Sequence, residues 1–346
     1  MRKKLLALLL ALSVGTAGAL AFSGCDLLNS GKGDTSQGSA GLRYTLINEG
    51  TEYSVSGINE LEDTDVVIPS THNGKSVTMI GEWAFSSHSE LTSIKIPNSV
   101  TSIGKGAFSG CGRLTGISIP KGVTSIGELA LKDCSKLESI TVDDNNLYYK
   151  SDNNCLLTND GKTLIAGCKN SIIPDGVTSI GDSAFEGCTS ITGLNIPASV
   201  TSIGSDAFNR CVSIKSINLP NYLTSIGESA FSYCTGLTSI TIPNGVTAIY
   251  ESTFEYCQSL KSVNILGRVR SIDKWAFYNC TELTNITIPN SVKSFGEYVF
   301  WGCDNLAKIN FAGTKTEWET IEIEGSWSII LPSNVIIICT DGNVIE

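Results

Sequence analysis

Apolar positions along this chain recur with a 23-residue period, and that period limits what it can fold into. One unit carries Leu91, Ile94, Ile96, Pro97, Val100, Ile103, Gly104, Ala107, Phe108 and Cys111, with small or polar residues between them. Phe85, Phe108, Phe185, Phe208, Phe231, Phe254, Phe277 and Phe300 keep the register, with Leu131 filling one slot. So do Cys111 and Cys134, and then Cys188, Cys211, Cys234, Cys257, Cys280 and Cys303. A fixed period of roughly 20–29 residues marks a solenoid. Each unit is too short to bury its own apolar side, so units stack and share one continuous core.

Within a unit, Leu91, Ile94 and Ile96 match L-x-x-L-x-L, with Ile94 and Ile96 pointing inward from a strand. Pro97 cannot donate to a ladder and ends that strand. Val100–Ile103 forms a second short extended segment, closed by Gly104. Ala107, Phe108, Cys111 and Leu114 follow at helical spacing and predict a helix on the third side. The expected fold is an α/β-repeat solenoid, a leucine-rich-repeat right-handed coil of about nine units over residues 66–309. Residues 42–65, with Tyr44, Leu46, Tyr53 and Val55 alternating, predict a β-rich N-terminal cap, and 310–346 a β-rich C-terminal one. The period breaks once, between Cys134 and Cys188, which lie more than two steps apart. There, residues 141–171 predict an insert containing a β-hairpin around Asp160-Gly161, in place of a helix and one coil.

Residues 1–24 belong to a different pattern: Arg2-Lys3-Lys4, then an apolar run from Leu5 to Phe22. This reads as a secretory signal, and Ser13, Gly15, Thr16 and Gly18 weaken it as a spanning helix. Phe22-Ser23-Gly24-Cys25 resembles the bacterial lipobox, with Phe22 a departure from the usual Leu. That resemblance implies lipidation of Cys25, a membrane anchor through the acyl chains, and export to the bacterial cell surface. Residues 25–41, rich in Gly, Ser and Asp, then form a flexible tether.

Composition adds exclusions. Apolar residues make up 41% and charged residues 17% of the chain, which suits a folded core and not a disordered one. The formal charge of -10 has no basic run to offset it after the first residues, which argues against nucleic acid as a partner.

The repeat I-P-x-x-V-T-S-I-G-x-x-A-F-x-x-C-x-x-L, followed closely over 196–214 and 242–260, resembles the BspA-like, or treponemal-type, leucine-rich repeats of bacteria. Departures are Leu131 for Phe, Tyr250 and Asp273 for Gly, and Leu266 for Pro. The resemblance covers the repeat region and implies a surface protein, an adhesin for host or microbial macromolecules. A surface glycan-binding protein is the alternative, and an enzyme the remote one.

Candidate chemistry is sparse. The periodic cysteines follow the inward Phe at i+3, so they read as buried free thiols, while Cys155 and Cys168, flanking the hairpin, either pair or stay free. No C-x-x-C occurs, and neither His72 nor His88 sits at ligand spacing from a cysteine, so no zinc, other metal or cofactor is expected. Neither histidine is placed for nucleophilic catalysis, and turn chemistry accounts for Asp143, Asp144 and Asp152 better than calcium binding does. Two surfaces remain for an extracellular protein or glycan. One is the outward side of the L-x-x-L-x-L strands: Lys95, Ser118, Thr141, Asn195, Asn218, Thr241, Asn264 and Thr287. The other is a set of aromatics off the inward register in the last units: Tyr233, Tyr256, Trp275, Tyr278, Tyr298 and Trp301.

Overall fold

The computed structural model describes residues 38–59, 64–325, 331–332 and 335–345. The signal segment, Cys25 and the tether up to residue 37 lie outside the described residues.

Inward Ile and Val at alternate positions make the first side of each coil a strand whose partners are the same residues one coil away. Ser239–Ile242, Ser262–Ile265, Asn285–Ile288 and Lys308–Phe311 pair in parallel, with Ile240 opposite Val263 and Val263 opposite Ile286. Gly116–Ile119 and Ser139–Val142 do the same before the insert. The second side is a short Ser-Ile ladder, for example Ser102–Ile103 beside Ser125–Ile126. At the ends the ladders run past the regular repeats, because Glu52–Ile58 pairs in parallel with Lys75–Ile80, and Ile336–Cys339 with Lys308–Phe311. The result is a β-solenoid of about eleven turns. Antiparallel hairpins close both ends, Leu42–Ile47 on Glu52–Ile58 and Gly342–Ile345 on Ile336–Cys339, and so cover otherwise unpaired ladder edges. Near the second end, a one-turn helix (Lys315–Glu319), held by a Thr314–Glu317 capping box, buries Trp318 against Phe295 and Phe311.

The helix expected on the third side is not there. Residues at helical spacing do face the core, but the backbone makes consecutive turns. Each regular coil carries two residues at left-handed φ, four apart: Gly106 (59°) and Gly110 (75°), Asp206 (55°) and Arg210 (61°), Trp275 (57°) and Asn279 (55°). Such residues interrupt a helix. Alternate N–H groups then turn outward to the next coil. Phe108 N–H donates to the Ala130 carbonyl at 3.0 Å, while Cys111 N–H stays within its coil, on Phe108 at 3.1 Å. Spacing explains the choice. An α-helix is about 10 Å wide and would splay coils whose strands sit about 4.8 Å apart. Turns that share hydrogen bonds keep the third side nearly as close, and the Phe rings stack at 5.3–5.7 Å from coil to coil.

The core is not continuous. Strand Cys155–Thr158 of the insert runs between two halves. Its Leu156 packs with the N-terminal core and its Leu157 with the C-terminal one, as the period of two in a strand requires. The hairpin at Asp160-Gly161 forms as expected, with Cys155–Thr158 antiparallel to Thr163–Ala166. That second strand enters the Ser-Ile ladder beside Ser179–Ile180. Gly167 takes the Phe slot of this shortened coil. It donates to Ala184 at 2.7 Å, as Phe185 does to Ala207 at 2.8 Å, and a side chain there would run into the Phe185 ring.

Candidate binding surfaces

All the periodic cysteines are buried free thiols, and each has a hydrogen-bonding role that the sequence does not reveal. Cys111, Cys134, Cys211, Cys234, Cys257, Cys280 and Cys303 donate S–H to the Phe carbonyl of the preceding coil at 3.1–3.2 Å. Cys188, next to the insert, makes the longer counterpart to Gly167 at 3.8 Å. Cys155 and Cys168 are free as well, with S–H groups directed at the Ile172 and Asn154 carbonyls. Burial pushes the thiols of Cys111, Cys188 and Cys234 up to about 12 and that of Cys155 up to about 11. Reaction requires the thiolate, so these buried thiols are poor nucleophiles near neutral pH.

The other candidate chemical groups have local roles. His72 stacks on Tyr44, with ring centroids 3.8 Å apart. His88 is held below its usual range by burial and then by the Arg43 charge. Asp143 accepts the Asn145 backbone and side-chain N–H groups, which hold its carboxyl below the usual range, and Asp160 is held low by the Thr158 hydroxyl and the Lys162 N–H. Both are turn-forming arrangements.

On the strand side, Lys95, Ser118, Thr141, Asn195, Asn218, Thr241 and Asn264 are exposed, and Thr287 is half-buried. Thr241, Asn264 and Thr287 lie directly in register across three strands. In the middle coils this face weakens to single bridges, Asn195 to Asn218 and Ser216 to Ser239. A groove of about 170 Å³ opens there, lined by Ser216, Asn218, Ser239, Thr241 and the exposed Leu266.

The aromatic set lies on the turn side, and its placement follows from backbone geometry. Tyr233, Tyr256, Trp275 and Tyr298 occupy left-handed positions with φ between 56° and 58°. Tyr278 and Trp301 each precede such a position. Tyr233 and Trp301 are exposed, and the other four half-buried. Tyr233 stacks on Tyr256 at 4.6 Å, and Tyr256 meets Tyr278 edge-on at 5.7 Å. Tyr298 meets Trp301 edge-on at 5.8 Å. Two cations lie against the set: Lys274 over Trp275 at 4.1 Å and Arg210 over Tyr233 at 5.7 Å. The structure thus arranges these residues as two ring clusters and a cation-covered tryptophan. Beside Lys274 is a groove of about 600 Å³ whose lining includes Glu228, Glu251, Asp273, Glu322 and Glu324.

The BspA type leucine-rich-repeat region, in six copies, matches residues 63–159, 165–280 and 235–340. The chain belongs to the BspA-type leucine-rich-repeat family. Proteins built from this repeat are typically non-catalytic binding proteins. Among solved structures, a leucine-rich repeat protein from Eubacterium ventriosum is 20% identical, with 88% of this chain and 98% of that one covered and a TM-score of 0.57, and shares the fold. A leucine rich cell surface protein from Faecalibacterium prausnitzii is 21% identical, covering 85% and 99% of the two chains with a TM-score of 0.46. A leucine-rich repeat protein from Bacteroides ovatus is 25% identical, covering 83% and 88% with a TM-score of 0.43. A search of curated proteins found no match. Both stretches flanking residues 160–164, on either side of the hairpin turn, carry the BspA-type repeat.

Proposed function

We propose that this BspA-type chain is a lipid-anchored cell-surface protein that binds host or microbial macromolecules and acts as an adhesin. The observation that carries the reading is the aromatic set on the turn side. A left-handed backbone position favours Gly or Asn and costs other residues about 1 kcal/mol, yet this chain fills several with Tyr and Trp whose rings stay out of the core. Partly exposed aromatic clusters with adjacent cations are the composition of binding hot spots. The name of the Faecalibacterium relative, a cell surface protein, supports the location. Cys25, after Phe22-Ser23-Gly24, supports anchoring through acyl chains.

Replacing Tyr256, Trp275 and Trp301 together by Ala is expected to weaken binding to immobilised extracellular-matrix proteins by about 100-fold or more, since hot-spot truncations each cost about 2 kcal/mol. Surface plasmon resonance with the folded triple variant checks this, and an unchanged affinity removes the aromatic set as the site. A glycan ligand is favoured by the polar, nearly uncharged groove around Asn218 and Thr241. A glycan array in which Asn218→Ala and Thr241→Ala abolish binding, with the triple variant unaffected, would select that reading. For the anchor, labelled palmitate is expected to enter the wild-type chain in a bacterial host and not the Cys25→Ala variant. Incorporation that survives this substitution rules the anchor out.

A further inference from the structure

The insert leaves a specific defect in the turn side. In regular coils three outward N–H groups cross to the next coil. Gly106 reaches Glu128 at 2.9 Å, Phe108 reaches Ala130 at 3.0 Å and Gly110 reaches Lys132 at 2.8 Å. One coil later the equivalent donors are Leu129, Leu131 and Asp133, and the coil facing them is 181–188, brought alongside by the insert. Only the last of the three is paired: Asp133 N–H meets the Glu186 carbonyl at 3.0 Å. At the same end Lys132 Nζ reaches the buried Glu186 carboxylate at 2.6 Å, and Gly187 abuts Asp133. From there the two coils open like a wedge. Among the described residues, the Leu129 and Leu131 N–H groups have no acceptor. The Asp182 carbonyl, in the slot that receives such a bond in regular coils, likewise has no donor, and Gly167 has taken the Ala184 carbonyl.

The opening is a cavity of about 220 Å³ between Ile126–Lys132 and Gly181–Ala184, floored by Leu156, Ile165 and Ala166. It holds the volume of about seven waters and is below the roughly 300 Å³ at which small-molecule sites begin. Its walls nevertheless carry unpaired backbone donors and an acceptor at the spacing the solenoid uses to bind its own chain. Elsewhere the insert covers such edges with hydroxyls: Tyr149 accepts the Ile126 N–H at 3.0 Å and Ser151 accepts that of Val142 at 3.0 Å. No side chain does this for Leu129 and Leu131 among the described residues.

We propose that this wedge binds an extended polypeptide segment of a partner protein. The segment's carbonyls accept the Leu129 and Leu131 N–H groups, and one of its N–H groups donates to the Asp182 carbonyl. A peptide unit carries both functions, which distinguishes it from a simple anion, and small or β-branched side chains fit the apolar floor. This is strand addition applied to an internal gap in a solenoid, where main-chain bonds give affinity and a narrow floor gives selectivity. The site is independent of the aromatic set, which lies in later coils.

The probe is a blocked, fluorescein-labelled Val-Thr-Ser-Ile-Gly peptide, the sequence of residues 123–127 and of the type this fold lays along its own ladder. Amide hydrogen exchange on the whole protein is expected to show Leu129 and Leu131 slowed at least tenfold by saturating peptide. A control peptide with Pro in place of Ser lacks the central N–H and is expected to bind at least tenfold more weakly. Ser183 lines the wedge at the left-handed position that holds Trp275 and Tyr298 in later coils, so Ser183→Tyr fills the wedge with a residue type the backbone accepts there. This variant is expected to keep its Tm and lose peptide binding. Protection only at other amides, no protection at millimolar peptide, or equal binding of the Pro peptide each overturns the proposal. The last comparison uses wild-type protein and holds even if Ser183→Tyr fails to fold.

Discussion

Between pH 8 and pH 10 this protein is expected to lose much of its stability and to unfold at a far lower urea concentration. The cause is the cysteine ladder. A free thiol titrates near 9, while burial pushes Cys111, Cys188 and Cys234 up to about 12 in the folded chain. Cys134, Cys211, Cys257 and Cys280 shift the same way for the same leading reason. Above pH 9 the unfolded chain releases these protons and the folded chain keeps them. The unfolded state then binds fewer protons, so stability falls as pH rises. The stabilisation is complete below about pH 9 and drains until the folded thiols themselves titrate. Each thiol held at about 12 costs about 1.4 kcal/mol by pH 10, and the three together about 4 kcal/mol. That is comparable with the whole stability of a marginal fold. Urea melts followed by circular dichroism at the two pH values check it, with a thiol-reactive dye reporting exposure. A midpoint that does not move would show that the ladder is not closed to water as the structure has it.

Phe254→Ala is expected to be the most damaging of the simple core substitutions. Phe254 is fully buried and stacks between Phe231 at 5.5 Å and Phe277 at 5.3 Å, both within 7° of parallel. Removing the ring forfeits its transfer free energy and leaves a gap that two ladders of backbone bonds prevent from closing, so the cost is about 3–5 kcal/mol. Coils touch only their neighbours, and the core is divided at Leu156 and Leu157, so the damage should stay in the C-terminal half. Hydrogen exchange is expected to speed up across the coils from 185 to 303 and much less before residue 140. Equal acceleration in both halves would mean that the insert transmits stability and does not partition it. Phe254→Leu, a residue the chain itself uses at this register in Leu131, should cost clearly less.

The stacking of coils, the inward register of Phe, Cys and Ile, the buried free thiols and the hairpin at Asp160-Gly161 were all legible in the sequence. Each depends only on which residues recur at a fixed step, and a fixed step forces like residues onto like positions. The turns on the third side are not distinguishable from a helix in the sequence, because Ala107, Phe108, Cys111 and Leu114 have the same spacing in both. What separates the two is the width each demands between neighbouring coils, which no single unit states. The aromatic residues were legible as outward-facing. Their grouping into Tyr233–Tyr256–Tyr278 and Tyr298–Trp301 depends on the left-handed backbone angles that aim them.

By itself, then, the sequence determined that identical coils pile up, because a short amphipathic unit has no other way to hide its apolar flank. Only the tertiary structure decided what the one irregular segment does. Leu156 and Leu157 divide the core, Gly167 stands in for a phenylalanine, and the Leu129 and Leu131 N–H groups have no acceptor among the described residues. The reason is that hydrogen bonds between coils depend on which coil comes to lie alongside. After the insert, the coil that ends in Cys134 faces the one that ends in Cys188, more than two periods further along the chain. A periodic sequence states its neighbours, and where the period fails they are settled only by packing.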